Sequence, residues 1–285
     1  MHKTQSARDL RLIFLLVAVG VCTSQPKTIR GDEVTVTYSF ASRKFTLHEP
    51  VVLQLKIMNA TSQPIQLSLG KNYNENFIVS FIGPSGATVQ PRQIREPGFG
   101  ATGQVRIEPG ETFKKNLLLN QWIEFDSPGK YEIEVRLAKA IENTQADPSV
   151  RMGSFHDTIE IAAEDSVRLN EVCAALASQV EMASSYQEAA DAAQALSSVK
   201  DPIAIPYLER ALFSKQLVEP IVIDSLERVG SDKAVQVLIL ALTRLPNDEI
   251  VLVRNSLERV RDKTSDPATK QEIERALAAG RTPDR

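Results

Sequence analysis

The chain has 285 residues, 42% hydrophobic and 24% charged, with a formal net charge of −3. That is the composition of an ordinary globular protein, with enough chain for two cores. The acidic balance, with no basic stripe after the first residues, argues against a nucleic-acid partner, because that binding rests on dense Lys and Arg set against phosphates.

In chain order, Lys3, Arg8 and Arg11 precede the apolar run Leu12 to Cys22, and the small residues Thr23 and Ser24 follow. Residues 1–24 therefore read as a secretory signal peptide. The run is too short to span about 30 Å of hydrocarbon comfortably, and no later stretch approaches that length, so no mature transmembrane segment is expected. Its removal takes away Lys3, Arg8, Asp9 and Arg11 and leaves a charge of about −5. Val19-Gly20-Val21-Cys22 loosely resembles a bacterial lipobox, which would make Cys22 a lipid attachment site; the bulky Val21 fits that pattern poorly. After cleavage Cys173 remains without an intramolecular partner, and its setting in Val172-Cys173-Ala174-Ala175-Leu176 is that of a small buried hydrophobe.

From about Gly31 to Ala163 the pattern alternates at period two. Val51, Leu53, Leu55 and Ile57 fall on one face of a strand, with Gln54 and Lys56 on the other. Similar stretches are Val34 to Phe40, Ile65 to Leu69, Phe77 to Ile82, Gln104 to Ile107, Phe113 to Leu119, Tyr131 to Leu137 and Thr158 to Ile161. Breaks such as Gly83-Pro84-Ser85-Gly86 and Glu108-Pro109-Gly110-Glu111 separate them. Strands of this number and length predict a β-sandwich over 31–163. The segment Ser127-Pro128-Gly129-Lys130-Tyr131-Glu132-Ile133-Glu134-Val135 resembles the late strand of immunoglobulin-like and fibronectin-type bacterial modules. The resemblance implies an immunoglobulin-like fold, with Tyr131 as a corner residue whose hydroxyl bonds back to the backbone. It implies almost nothing about function.

At Glu164-Asp165 the period changes, and residues 165–281 read as all helix, beginning with a helix from about Asp165 to Met182. Val218, Val222, Ser225, Leu226 and Val229 form one helical stripe, and Ala234 to Leu242 is apolar nearly all round, which requires cover on two sides. Ser225-Leu226-Glu227-Arg228-Val229 recurs thirty-one positions on as Ser256-Leu257-Glu258-Arg259-Val260. Ala195-Leu196, Asp201-Pro202 and Leu208 to Leu212 likewise return thirty positions on as Ser225-Leu226, Ser231-Asp232 and Leu238 to Leu242, with Asp201 or Ser231 as the expected cap. Asp201-Pro202-Ile203-Ala204-Ile205-Pro206-Tyr207-Leu208 resembles HEAT repeats of the bacterial, lyase-associated type. That resemblance implies a short α-solenoid whose usual role is protein–protein binding; a plain helical bundle is the alternative.

Groups able to carry chemistry are few. His48 beside Glu49 and His156 beside Asp157 could each supply a ligand or a base, yet neither has metal-site spacing, and both pairs read as strand-edge residues. Asn72-Tyr73-Asn74-Glu75-Asn76 reads as a solvated loop, Trp122 as a partly buried aromatic, and Asn59-Ala60-Thr61 as a glycosylation acceptor if the host glycosylates. Glu227-Arg228 and Glu258-Arg259 are interface candidates or a solvated helix flank. Neither a phosphate loop nor a nucleophile elbow is present, so no catalytic residue, cofactor or metal is assigned. The chain thus reads as multidomain, all-β then all-α, exported to the periplasm or beyond. Its expected role is noncatalytic, as a binding or scaffold protein at the cell envelope with a protein partner. The alternatives are an inhibitor or regulatory module for an exported hydrolase, a carbohydrate-binding module, and an enzyme with a site of scattered residues.

Overall fold

The computed structural model describes residues 27–30, 34–69, 76–92, 103–137, 141–142 and 154–279. The leader, Cys22 and positions 72–75 of the polar stretch lie outside the described residues. A β region comes first, as β1 (Lys27–Arg30), β2 (Val34–Phe40), β3 (Lys44–Thr46), β4 (Val52–Asn59), β5 (Ile65–Ser68) and β6 (Phe77–Ile82). It continues with β7 (Thr88–Val89), β8 (Gln104–Ile107), β9 (Thr112–Leu118), β10 (Gly129–Leu137), β11 (Ile141–Glu142) and β12 (Phe155–Ala162). The helices are α1 (Ser166–Met182), α2 (Tyr186–Ser197), α3 (Ile205–Leu212), α4 (Glu219–Val229), α5 (Asp232–Arg244), α6 (Asn247–Lys263) and α7 (Pro267–Ala279).

Three sheets form among the described residues, ordered β1-β2-β4-β9, β3-β12-β10-β6-β7 and β11-β5-β8. Every pairing is antiparallel except β3 with β12. Alternation decides which face is buried: β4 hides Leu53, Leu55 and Ile57 and exposes Gln54, Lys56 and Met58. Those residues join Tyr38, Phe81, Ile133 and Phe155 in one apolar cluster fed by the sheets. Tyr131 is the third residue of β10, and its hydroxyl donates to the Ser127 carbonyl at 3.0 Å.

Two strands depart from the expected bounds for local reasons. β12 begins at Phe155 rather than Thr158, because Asp157 occupies an inward position of the alternation and pairs there with Arg43 at 3.0 Å. Leu119 belongs to a 3-10 turn rather than to β9; its N–H donates to the Val51 carbonyl, so Val51 serves that turn and β4 starts at Val52.

The helices pack in two rows. α2 lies on α4 and α4 on α6, while α3 lies on α5 and α5 on α7, and each row-to-row hairpin is also in contact. α1 covers α2 and α3. Asp201 caps the 3-10 turn that precedes α3, accepting from the Ile203 N–H at 2.8 Å, and the Ser231 hydroxyl accepts from the Ala234 N–H to start α5. Equivalent apolar positions Leu196, Leu226 and Leu257, with Leu208 and Leu238 in the other row, are fully buried in one helical core. Cys173 is buried in the same core, where removal from water, helped by Asp201, raises its pKa to about 12. Such a thiol stays protonated and inert at neutral pH.

The turn into β10 tolerates only glycine. Gly129 adopts φ +140, and a Cβ added there would lie 2.6 Å from the Pro84 Cβ. Gly129→Ala is therefore expected to lower stability by about 2–4 kcal/mol, combining backbone strain with overpacking. Thermal unfolding read at the β region tests this; an unchanged midpoint would show that the turn relaxes freely.

Candidate functional site

Most groups singled out by the sequence are engaged in holding the fold. Glu49 is buried in the turn between β3 and β4, where its carboxylate accepts from the Thr46 N–H at 2.8 Å and from Arg168 Nε and a terminal nitrogen at 2.8 and 3.0 Å. Its neighbour His48 sits in the left-handed region at φ +68. This pair therefore forms a turn and a joint to α1 rather than a strand edge, because burying the carboxylate requires N–H donors on its oxygens.

His156 and Asp157 lie in the first residues of β12, where β12 pairs with β10 alone because β3 reaches only Glu160 to Ala162, with Asp157 turned inward and His156 on the exposed face. Ser154 Oγ and Glu134 Oε1 both approach His156 Nε2, at 2.9 and 3.4 Å. A nucleophile–base–acid relay needs its two partners on opposite ring nitrogens, so this trio is not one. Among the described residues no three His, Cys, Asp or Glu side chains gather as a metal ion requires.

Trp122 is 5% exposed and offers no ring to a ligand. Asn59 is buried, with its amide donating to the carbonyls of Gln63 and Ile107, so the acceptor motif is closed to a glycosyl group in the folded chain. Asn76 ties the end of the polar stretch to the Ser68 carbonyl at 3.1 Å.

The repeated pentapeptide proves to be an inter-helix joint. Glu227 on α4 accepts two bonds from Arg259 Nε, at 2.9 Å each, one from an Arg259 terminal nitrogen at 2.6 Å and one from Lys263 at 3.1 Å, both donors on α6. Arg228 reaches the other way, to the Ser197 carbonyl on α2 at 3.3 Å, where Ser225 Oγ also donates. Ser197 stands thirty residues before Glu227, so in both copies the arginine reaches back to the equivalent position of the preceding row member. Burial alone would raise the Glu227 pKa; the bonds from Arg259 and Lys263 reverse that and hold it below the usual glutamate value.

Between the β region and the helices lies a cleft of about 540 Å³, unforeseen in the sequence because its walls are far apart in the chain. Its floor is the cross-strand pair Val52 and Leu118 together with Leu176 of α1. The adjacent pair Gln54 and Asn116 adds amides, and α2 contributes Glu188 and Asp191. Asp191 is half-buried, accepting from Gln187 at 2.7 Å and from Asn116 at 3.4 Å. Loss of water raises its pKa above the usual aspartate value, and Gln187, Lys115 and Asn116 offset only part of the rise. Beyond the cleft, Glu124 bonds both Arg92 and Lys200 of the helical region, and Gln121 meets Gln194 at 3.4 Å.

Two outcomes follow for the joints. Arg168→Met leaves the Glu49 carboxylate buried with one donor and is expected to lower stability by about 2 kcal/mol, whereas the double variant with Glu49→Gln recovers part of that loss; a denaturant-melt cycle measures the coupling. For Glu227, a depressed pKa means that the folded state binds fewer protons than the unfolded one. Its contribution is then present above the ordinary value of 4.5 and lost as pH falls through the lowered value. Glu227→Gln should flatten that acid limb of a stability–pH curve, and an unaltered limb would count against the joint.

The chain matches no family model and no curated protein. Solved structures similar to part of it include β-glucosidase from Listeria innocua in complex with isofagomine, at 14% identity over 46% of this chain, with a TM-score of 0.23. The same enzyme in complex with glucose gives 13% identity over 45% of this chain and a TM-score of 0.20. The chain spans 16% of the length of those enzyme chains, and superpositions this loose carry no argument about fold or activity. No helix among the described residues is long and apolar enough to cross a membrane.

Proposed function

We propose that the chain is an exported, noncatalytic binding or assembly protein of the cell envelope, built from an immunoglobulin-like sandwich followed by a HEAT-like α-solenoid. The observation that carries the reading is the pair of helix rows, α2-α4-α6 and α3-α5-α7, the first of them linked from helix to helix by equivalent residues of a repeated sequence. Rows of that kind present a continuous surface made of like positions, and such surfaces serve protein partners. The one sandwich-like core and the Tyr131 bond to Ser127 support the immunoglobulin-like reading of the β region. The basic, apolar and small-residue order of residues 3–24 supports export.

The test begins with the full chain expressed with its leader. Mass spectrometry of the exported product is expected to find a chain starting after Ser24, and in-cell cross-linking followed by reconstitution from pure components is expected to give a stoichiometric complex linked through residues of α2 to α7. A chain retained in the cytoplasm, or one that turns over a substrate, would overturn the proposal. Cross-links confined to the β region would favour the inhibitor reading instead.

A further inference from the structure

The cleft between β4, β9, α1 and α2 has the chemistry of a ligand site rather than of a packing defect. Its volume, about 540 Å³, lies within the usual range of ligand pockets, and it occupies a junction between two cores, where such sites concentrate. The floor of Val52, Leu118 and Leu176 is apolar, while Gln54 and Asn116 carry donors and acceptors at the spacing of a strand pair. Side-chain amides of this kind match the N–H and C=O groups of a peptide main chain.

The charge in the cleft is of one sign. Glu188 spends one oxygen on the Ser184 N–H and hydroxyl, at 3.0 and 2.7 Å. Asp191 has only amide hydrogen bonds, and these together with the charge of nearby Lys115 leave part of its desolvation uncompensated. Glu181, Asp224 and Glu227 by contrast face Arg210, Arg228 and Arg259, while Glu219 and Glu249, the other helical carboxylates that burial makes harder to ionise, lie outside the cleft. A half-buried carboxylate without such a match gains most from a cation brought in by a ligand, since local screening by water is weak there. At one end of the cleft Met182 stands 77% exposed, adding an apolar contact that the fold itself leaves uncovered.

We infer that this cleft binds an extended peptide segment carrying a Lys or Arg side chain next to an apolar one, the cation meeting Asp191 and the apolar group lying on Leu118, Leu176 and Met182. The inference rests on the binding role proposed above and names the chemistry of the partner.

The experiment titrates the full mature chain with fluorescent acetylated hexapeptide mixtures that hold Lys, Gln or Glu at the third position and Leu at the fifth. The Lys mixture is expected to bind at least tenfold more tightly than the Gln mixture, with the Glu mixture weakest. Asp191→Asn should remove that preference, while its melting temperature holds or rises because a desolvated charge is gone. Met182→Lys, at an exposed position that does not disturb folding, should weaken the Lys mixture by a similar factor. Equal binding of the three mixtures, no binding of any, or a preference that survives Asp191→Asn overturns the inference. Loss of the preference together with a large fall in melting temperature in Asp191→Asn, and no effect of Met182→Lys, also overturns it, because Asp191 would then be structural. A chain that fails these titrations yet keeps its reconstituted partner in Asp191→Asn would separate failure of the cleft from failure of the wider binding role.

Discussion

The buried carboxylate of Glu49 is the constraint on which the relation of strands to helices depends. A charge taken out of water must be met by donors, and this one finds them on two parts of the chain: the Thr46 backbone and the guanidinium of Arg168. Arg168 also donates to the Lys44 carbonyl, and Thr46 Oγ1 donates to the Ala163 carbonyl while accepting from the Asp165 N–H. Asp165 in turn caps α1 by accepting from the Arg168 N–H at 3.0 Å. The first turn of α1 is therefore bonded to β3 and its following turn from several directions. α1 carries α2, and together they form the wall that faces β4 and β9.

Two carboxylates on neighbouring helices show how placement separates structure from recognition. Glu227 and Asp191 both lose water, and on that ground alone both would be harder to ionise. Glu227 is surrounded by an arginine and a lysine of the next helix, so its charge becomes part of a joint. Asp191 faces a cleft with amides as its bonded neighbours, so its charge is retained without being fully answered by the fold. Natural folds tolerate such a mismatch where something is to be bound.

The long elements were legible because periodicity had room to repeat. β2, β4, β6 and β10 span six to nine residues, enough for alternation to show, and α1 begins where Asp165 signals a cap. β3, β7 and β11 have two or three residues and no period to read, and the parallel partner of β3 lies more than a hundred positions away. Asp157 hid the first half of β12, since a charged residue at an inward position breaks the pattern unless its partner Arg43 is known. The pentapeptide repeat was visible, but its purpose was not, because Arg259 and Glu227 meet only when α6 lies on α4. The cleft left no local signal at all: Gln54, Asn116 and Asp191 are unremarkable polar residues until three segments converge.

The same repeat places Arg254 thirty-one residues after Ile223. Ile223 lies one turn before Glu227 and is buried in the helical core. Arg254 instead directs a guanidinium toward the Leu277 carbonyl at 3.5 Å, and Glu258, the counterpart of Glu227, is exposed. In the second copy the arginine one turn before the glutamate is thus turned toward α7, and the acid that forms the joint in the first copy is left to solvent.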